Sequence, residues 1–364
     1  MKKVLALLLA LVLTMSMASC AMADTAEIAL ITDIGTIDDK SFNQGAWEGI
    51  KAYADKAGVS YQYYQPAAQG TDVYLDEIDK AVTNGAKIVV TPGYLFEEPI
   101  YIAQDMYPEV TFILIDGNPH NADYSEYRTE ANAVGIIFKE EESGFLAGYA
   151  AVKDGYTKLG FMGGMAVPAV IRFGYGFAQG AEAAAKEMGL TDVTLNYHYT
   201  GGFAATPEAQ ALAASWYNSG VEVIFGCGGA VGNSVMAAAE EAGKAVIGVD
   251  VDQSNESETV VTSAMKGISE AVASMLEAYY AGTFPAGGAL NLGAAEAGVK
   301  LPMETSKFKT FAQADYDAIF AKLVTGEIAL TKDTTGADAD GDGVMDAVTV
   351  EQLPLEIVKI TVVQ

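Results

Sequence analysis

Side chains that grip phosphate are scarce in this 364-residue chain. Arg128 and Arg172 are its only arginines, and 48 acidic residues outweigh 21 Lys and Arg, for a formal charge of −27. A field of that sign repels nucleic acid and anionic membrane surfaces. Two guanidinium groups also leave little with which to build a phosphate clamp. Histidine is as rare: His120 and His198 are the only two, and no H-E-x-x-H zinc motif is present. There is no G-x-S-x-G hydrolase elbow and no G-x-x-x-x-G-K-[ST] phosphate loop. Cysteine is limited to Cys20 and Cys227, and no intramolecular disulfide is expected. No stretch beyond the N-terminus is long and apolar enough to span a bilayer. Nothing in this inventory demands an enzyme.

What is present begins with a secretory leader over 1–20. Lys2 and Lys3 precede an apolar core, Val4–Leu13, of about 10 residues, half of the ~20 a membrane span needs. Met17-Ala18-Ser19-Cys20 resembles a bacterial lipobox, with Met where Leu is usual, so Cys20 is the expected lipidation site. Ordinary cleavage near Ala21-Met22-Ala23 is the competing reading. Loss of Lys2 and Lys3 would take the formal charge from −27 to −29.

The remaining ~340 residues exceed what one core usually supports. Apolar runs at 28–31, 88–90, 111–115 and 133–138 alternate with helical patterns near 41–57, 72–84 and 97–107. A second set at 159–162, 193–197, 221–225 and 245–249 alternates with helices near 168–188, 206–218 and 230–242. This rhythm predicts an α/β protein with two doubly wound, parallel-sheet lobes and right-handed crossovers. A joint is expected near Phe138–Ser143, and a further helix from about Ala264 to Ala281. Two independent Rossmann-like domains fit the rhythm nearly as well.

The candidate binding residues cluster at strand ends. Thr32–Asn43 is a polar turn between the first strand and the first helix, where α/β folds usually place ligands. Asn43 offers both donor and acceptor, which suits a nucleobase edge or, more blandly, a helix cap. Phe42 beside it is a core residue by type, yet stands in a polar turn. Asp116 follows an apolar strand and precedes Gly117-Asn118-Pro119, where it can accept N–H donors or cap the turn. Phe203 lies in Thr200-Gly-Gly-Phe-Ala-Ala-Thr206, with Thr206 the expected helix cap. Asp250 ends a strand, and Lys266 is placed in the first turn of the following helix, opposing its dipole. A carboxylate and an ammonium together can hold vicinal hydroxyls. The run Gly226–Gly232 fails the G-x-G-x-x-G spacing and reads as close backbone approach, with Cys227 a small packing residue.

The segment Asp33–Asn43 resembles the D-x-G-x-x-D-D-x-S-F-N signature of the basic-membrane-protein lipoproteins, solute receptors of ABC importers similar to bacterial purine-nucleoside receptors. The resemblance covers about 27–330. It implies a type I periplasmic-binding-protein-like fold with a multi-strand hinge. Lobe 1 would span 24–140 and about 264–300, and lobe 2 would span 141–263 and about 301–364. It further implies that Phe42 and Phe203 stack a purine, that Asn43 and Asp116 read its edge, and that Asp250 and Lys266 hold the ribose. Asp33 would shape the first turn. The implied partners are an ABC permease and, through Cys20, the extracytoplasmic face of the cell membrane; a monomer is expected. A sugar or flavin receptor, or a nucleoside-processing enzyme, are the alternatives.

Finally, Asp338, Asp340, Asp342, Gly343 and Asp346 follow the spacing of a calcium loop over 338–349, although Thr349 stands where the closing Glu belongs. A structural calcium or a plain solvated acidic loop are the two readings. No other cofactor is expected.

Overall fold

The computed structural model describes residues 25–334 and 347–363. Cys20 and the acidic loop residues Asp338, Asp340, Asp342 and Asp346 lie outside them. The first sheet contains β1 (Ile28–Ile31), β2 (Tyr61–Tyr64), β3 (Ile88–Pro92), β4 (Thr111–Ile115), β5 (Ala133–Phe138) and β11 (Gly288–Leu292). Its order is β11-β5-β4-β3-β1-β2, all parallel. Alternate side chains leave a strand on opposite faces, and here both faces are covered. Ile28, Leu30, Ile88 and Val90 pack under α1 (Phe42–Ala57) and α8 (Ile268–Tyr280). Ala29, Ile31, Val89 and Phe112 pack under α2 (Thr71–Thr83) and α3 (Glu97–Met106). Burial on both faces is why these strands read as unbroken apolar runs.

The second sheet repeats the plan with β6 (Lys158–Gly163), β7 (Val193–Tyr199), β8 (Val223–Cys227), β9 (Ala245–Asp250), β10 (Val260–Lys266), β12 (Val299–Lys300) and β13 (Val358–Val362). The order is β12-β10-β9-β8-β6-β7-β13, with only β12 antiparallel to its neighbour. One face carries α4 (Glu140–Lys153), α5 (Pro168–Met188) and α9 (Gln313–Val324), and the other α6 (Pro207–Asn218) and α7 (Val231–Ala242). The orders β2-β1-β3-β4-β5 and β7-β6-β8-β9-β10 are equivalent, so the five-stranded cores of the two lobes are topological copies.

Two expectations are corrected here. The segment Val260–Lys266 is strand β10, paired with β9 and β12, and the helix begins only at Ile268. Lys266 therefore ends a strand and does not oppose a helix dipole. Consequently the chain enters lobe 1 at Gly267, later than 264, and Val299–Lys300 already belongs to the second sheet. The crossings lie at Lys139, Gly267 and 293–298. Lys139 N donates to Leu292 O at 3.0 Å, and Gly267 N to Gly298 O at 2.8 Å. Ser143 Oγ donates to Met265 O at 3.0 Å, tying the first crossing to the second.

Helices α4 and α5 approach closely. Gly144 and Gly148 face the carbonyls of Phe173 and Phe177, while Gly176 and Gly180 face those of Glu141 and Phe145. A methyl group at any of the four would fall well inside van der Waals contact with backbone. This contact sets the start of α4, with Glu140, beside the second turn of α5, with Arg172. Among the described residues, no helix is long and apolar enough to cross a membrane.

Candidate functional site

A cleft of about 820 Å³ opens between the lobes, at the C-terminal ends of both sets of parallel strands. Its lobe 1 wall begins with the turn after β1. Asp33 Oδ1 accepts from Gly35 N at 2.6 Å and from Asn43 Nδ2 at 2.9 Å, while Asp33 N donates to Asn43 Oδ1 at 3.3 Å. Asn43 Nδ2 also donates to Asp39 Oδ2 at 3.1 Å. Asp39 accepts from the backbone N–H groups of Ser41, Asn43 and Gln44 and so caps α1. A Cβ at Gly35 would lie 2.6 Å from Asn43 Nδ2, so a side chain here would push the Asn43 amide off its bonds. Burial pushes the Asp33 carboxyl up to about 6, against the pull of its bonds from Asn43 and Gly35. The Asn43 amide, expected at a ligand edge, has both N–H groups engaged within the turn. Phe42, next to it, lines the cleft.

Asp116 directly follows β4 and Asp250 ends β9, which are equivalent strands of the two lobes. Both hold left-handed backbone, with φ of 58° and 66°, a conformation that non-glycine residues adopt at some cost and that Asp tolerates better than most. Between them lies Lys266. Its Nζ donates to Asp116 Oδ2 and stands 3.5 Å from Asp250 Oδ1 and 3.6 Å from Glu140 Oε1. It also sits 4.6 Å from the Phe42 ring centroid, 5.5 Å from Phe173 and 5.6 Å from Phe138. Only 2% of its side chain is exposed. Burial alone would lower the ammonium's pKa, but Asp116, Asp250 and Glu140 outweigh it and hold the charge in place. Asp250 spans the lobes as well, since Ser41 Oγ donates to its Oδ2 at 2.5 Å.

The acceptors are not all used. Asp116 Oδ1 and Glu140 Oε2 are buried without a hydrogen-bond partner among the described residues. An unpaired buried acceptor costs about 1–3 kcal/mol, so a molecule bearing an N–H or O–H donor would be held at Asp116. Burial, reinforced by Asp116, pushes the Glu140 carboxyl up to about 8, with Lys266 and Arg172 pulling it back.

Phe203 enters from lobe 2, in the loop between β7 and α6. Thr206 caps α6, its Oγ1 accepting from Ala209 N at 3.1 Å. Glycines make room for the ring: a Cβ at Gly164 would lie 2.5 Å from Phe203 Cδ1, and one at Gly228 3.2 Å away. The glycine-rich run after β8 is thus a close backbone approach, as its spacing suggested. Cys227 within it is 1% exposed, and burial pushes its thiol well up.

The structure brings Asp33, Phe42, Asn43, Asp116, Phe203, Asp250 and Lys266 to one cleft. The sequence reading missed Glu140, Ser41 and the pair Arg172–Asp333, which also belong to this region. Arg172 did carry a signal, being a lone cation within an apolar helical stretch. Glu140 carried none, as one of three consecutive glutamates in an acidic chain. Among the described residues, no group of three or more His, Cys, Asp or Glu is arranged to hold a metal.

The profile of the Bmp family, described as ABC transporter substrate-binding protein PnrA-like, matches residues 26–333. The chain belongs to this family. Bmp proteins are solute-binding components of ABC transporters and not enzymes. Among similar proteins, the ABC transporter nucleoside-binding protein BmpA of Lactococcus lactis is 30% identical over 321 residues, covering 81% of this chain and 87% of that one. Basic membrane protein A1 of Borrelia garinii is 30% identical over 307 residues, covering 83% and 87%. An ABC transporter solute-binding protein of Aeropyrum pernix shares the fold at a TM-score of 0.73 and 24% identity, covering 86% of this chain and 95% of its own. The Bmp assignment and the two-lobed α/β architecture therefore agree.

Proposed function

We propose that this Bmp protein is a lipid-anchored receptor that closes on a purine nucleoside and delivers it to an ABC permease. The observation that carries this reading is the make-up of the cleft: Phe42 from lobe 1 and Phe203 from lobe 2 both line it, and the carboxylates of Asp116 and Asp250 meet the buried Lys266 ammonium in the same space. The Lactococcus relative, named as nucleoside-binding, supports the same solute class. In this reading Phe42 and Phe203 stack the base, while Asp33 and Asp116 address its N–H edge. Asn43 fixes the turn that presents Asp33. Asp250 and Lys266 hold the ribose hydroxyls. Cys20 carries the lipid that keeps the receptor on the extracytoplasmic face, where it acts as a monomer beside its permease.

The test is calorimetric titration of protein isolated from the membrane fraction, with the mass of its N-terminal peptide read in parallel. Guanosine or adenosine should bind, and ribose and riboflavin should not compete. A Phe42→Ala/Phe203→Ala variant should lose affinity by about 30-fold or more, from a stacking contribution of at least ~1 kcal/mol per ring. Unchanged affinity in that variant removes the stacking roles. Competition by ribose or riboflavin would reassign the solute, and an unmodified N-terminal peptide would remove the anchor.

A further inference from the structure

The cleft is strongly acidic: among the described residues, seven carboxyl groups line it against two cations, Lys266 and Arg172. Lys266 is consumed by Asp116, Asp250 and Glu140. Arg172, on α5, is consumed differently. Its Nε donates to Asp333 Oδ1 at 2.7 Å and its Nη2 to Asp333 Oδ2 at 3.1 Å, a two-point fork. Its remaining Nη1 is 3.9 Å from Glu140 Oε2. Both partners are largely shielded, with 16% of the arginine side chain and 13% of the aspartate exposed.

Asp333 is far from Arg172 in sequence and is brought there by a strap on α5. Gln179 Nε2 donates to Thr331 O at 2.8 Å, and Thr331 N donates back to Gln179 Oε1 at 2.8 Å. Asp333 O accepts from Val348 N at 3.3 Å on the returning side. Asp333 and Thr334 then line the cleft. The strap thus delivers one carboxylate to the one guanidinium in the cleft.

Glu140 joins the two cations. One of its oxygens is 3.6 Å from Lys266 Nζ and the other faces Arg172. The guanidinium therefore sits one side chain beyond the ammonium assigned to the ribose, so on the nucleoside reading it is the sugar end of the solute, where a phosphate would be carried, that lies toward it. A free guanidinium at that place would bind a phosphate monoester by its two-pronged fork.

We propose that the Arg172–Asp333 pair is a specificity filter: Asp333 occupies the guanidinium and so excludes phosphorylated forms of the solute. The inference rests on the nucleoside reading for the position of the phosphate, but the latent anion site does not depend on it. A phosphate monoester entering the cleft meets an excess of carboxylates and a cation already paired on its forked side. An unphosphorylated solute needs no contact with that corner.

The test compares wild-type protein, Asp333→Asn and Asp333→Asn/Arg172→Gln. Each is titrated with guanosine, guanosine 5′-monophosphate and inorganic phosphate at low salt. Asp333→Ser serves as a second single variant, free of any new amide contact to the guanidinium. Wild-type protein should reject both phosphates. The single variants should narrow the guanosine-to-monophosphate affinity ratio by about tenfold or more, a change of ~1.4 kcal/mol, and should gain phosphate binding. The double variant should lose that gain. An unchanged ratio and no phosphate binding in either single variant would overturn the filter while leaving guanosine binding intact. Phosphate binding gained without any guanosine binding would support the filter and remove the nucleoside reading instead.

Discussion

Glu140 is 1% exposed at the first crossing between lobes, close to Lys266 and Arg172 yet with one oxygen that has no hydrogen-bond partner among the described residues. Burial and the Asp116 charge raise its carboxyl to about 8, so the folded protein holds this proton far more tightly than an unfolded chain does. The stability this group contributes is fully present below the ordinary glutamate range near 4.5 and is lost as pH rises through 8. Asp33, raised to about 6, acts with the same sign over a lower window. Glu140→Gln keeps the shape and removes the titration. The unfolding temperature of wild-type protein should therefore fall relative to Glu140→Gln between pH 6.5 and pH 9. The expected size is on the order of 1 kcal/mol, or about 2 °C in a chain of this length. A difference that stays constant across that range would show that Glu140 does not titrate there.

The pairing of α4 with α5 explains why Glu140 escaped the sequence reading. Helix α4 is buried on nearly every side from Glu140 to Val152, so it has no polar face to set a 3.6-residue rhythm. Its glycines look like loop residues until α5 is placed against them. Replacing Gly148 with Ala sets a methyl group against the Phe177 carbonyl, and overpacking of this kind costs about 1–3 kcal/mol or more. Gly148→Ala should lower the urea midpoint and weaken solute binding, because the cleft ends of both helices shift. Gly155→Ala tests whether glycine loss alone is responsible: its added Cβ meets nothing within 4 Å, though at φ 101° it carries backbone strain. Equal loss of stability with no change in binding for Gly148→Ala would argue against the packing route to the cleft. Strand β10 was missed for another reason: Ala264-Met265-Lys266 favours helix locally and runs into α8, but pairing with β9 and β12 decides its form. By contrast, Asp33, Asp116 and Asp250 were legible because each sits where an apolar strand meets a polar turn, and Phe42 because it is an aromatic ring where a polar turn enters α1. Asn43 was legible as a site residue, but its amide bonds to Asp33 and Asp39 depend on how the turn folds back.

At the scale of the whole molecule, the crossings at Lys139, Gly267 and 293–298 join two lobes whose five-stranded cores share one topology, and the cleft lies beside them. The lobes also meet through side chains. Gln253 of lobe 2 donates from Nε2 to Lys40 O of lobe 1 at 2.8 Å, and Ser41 donates to Asp250. These bonds exist only when the lobes are together, so they add to the stability of the closed form that a solute also favours. Gln253 Oε1 accepts from Val249 N at 3.0 Å within its own lobe. Gln253→Glu therefore keeps that acceptor and turns the opposite donor into an oxygen facing the Lys40 carbonyl. The closed fraction should drop, and apparent affinity should drop with it in proportion, by about fivefold or more if the closed form falls below a fifth of its former population. Small-angle scattering should give a larger radius of gyration for solute-free Gln253→Glu than for wild-type protein. Saturating solute should bring the two to the same value, because binding energy offsets the lost interlobe bond. Equal radii with and without solute in both proteins would mean that the lobes do not move, and the weaker binding would then have to arise inside the cleft itself.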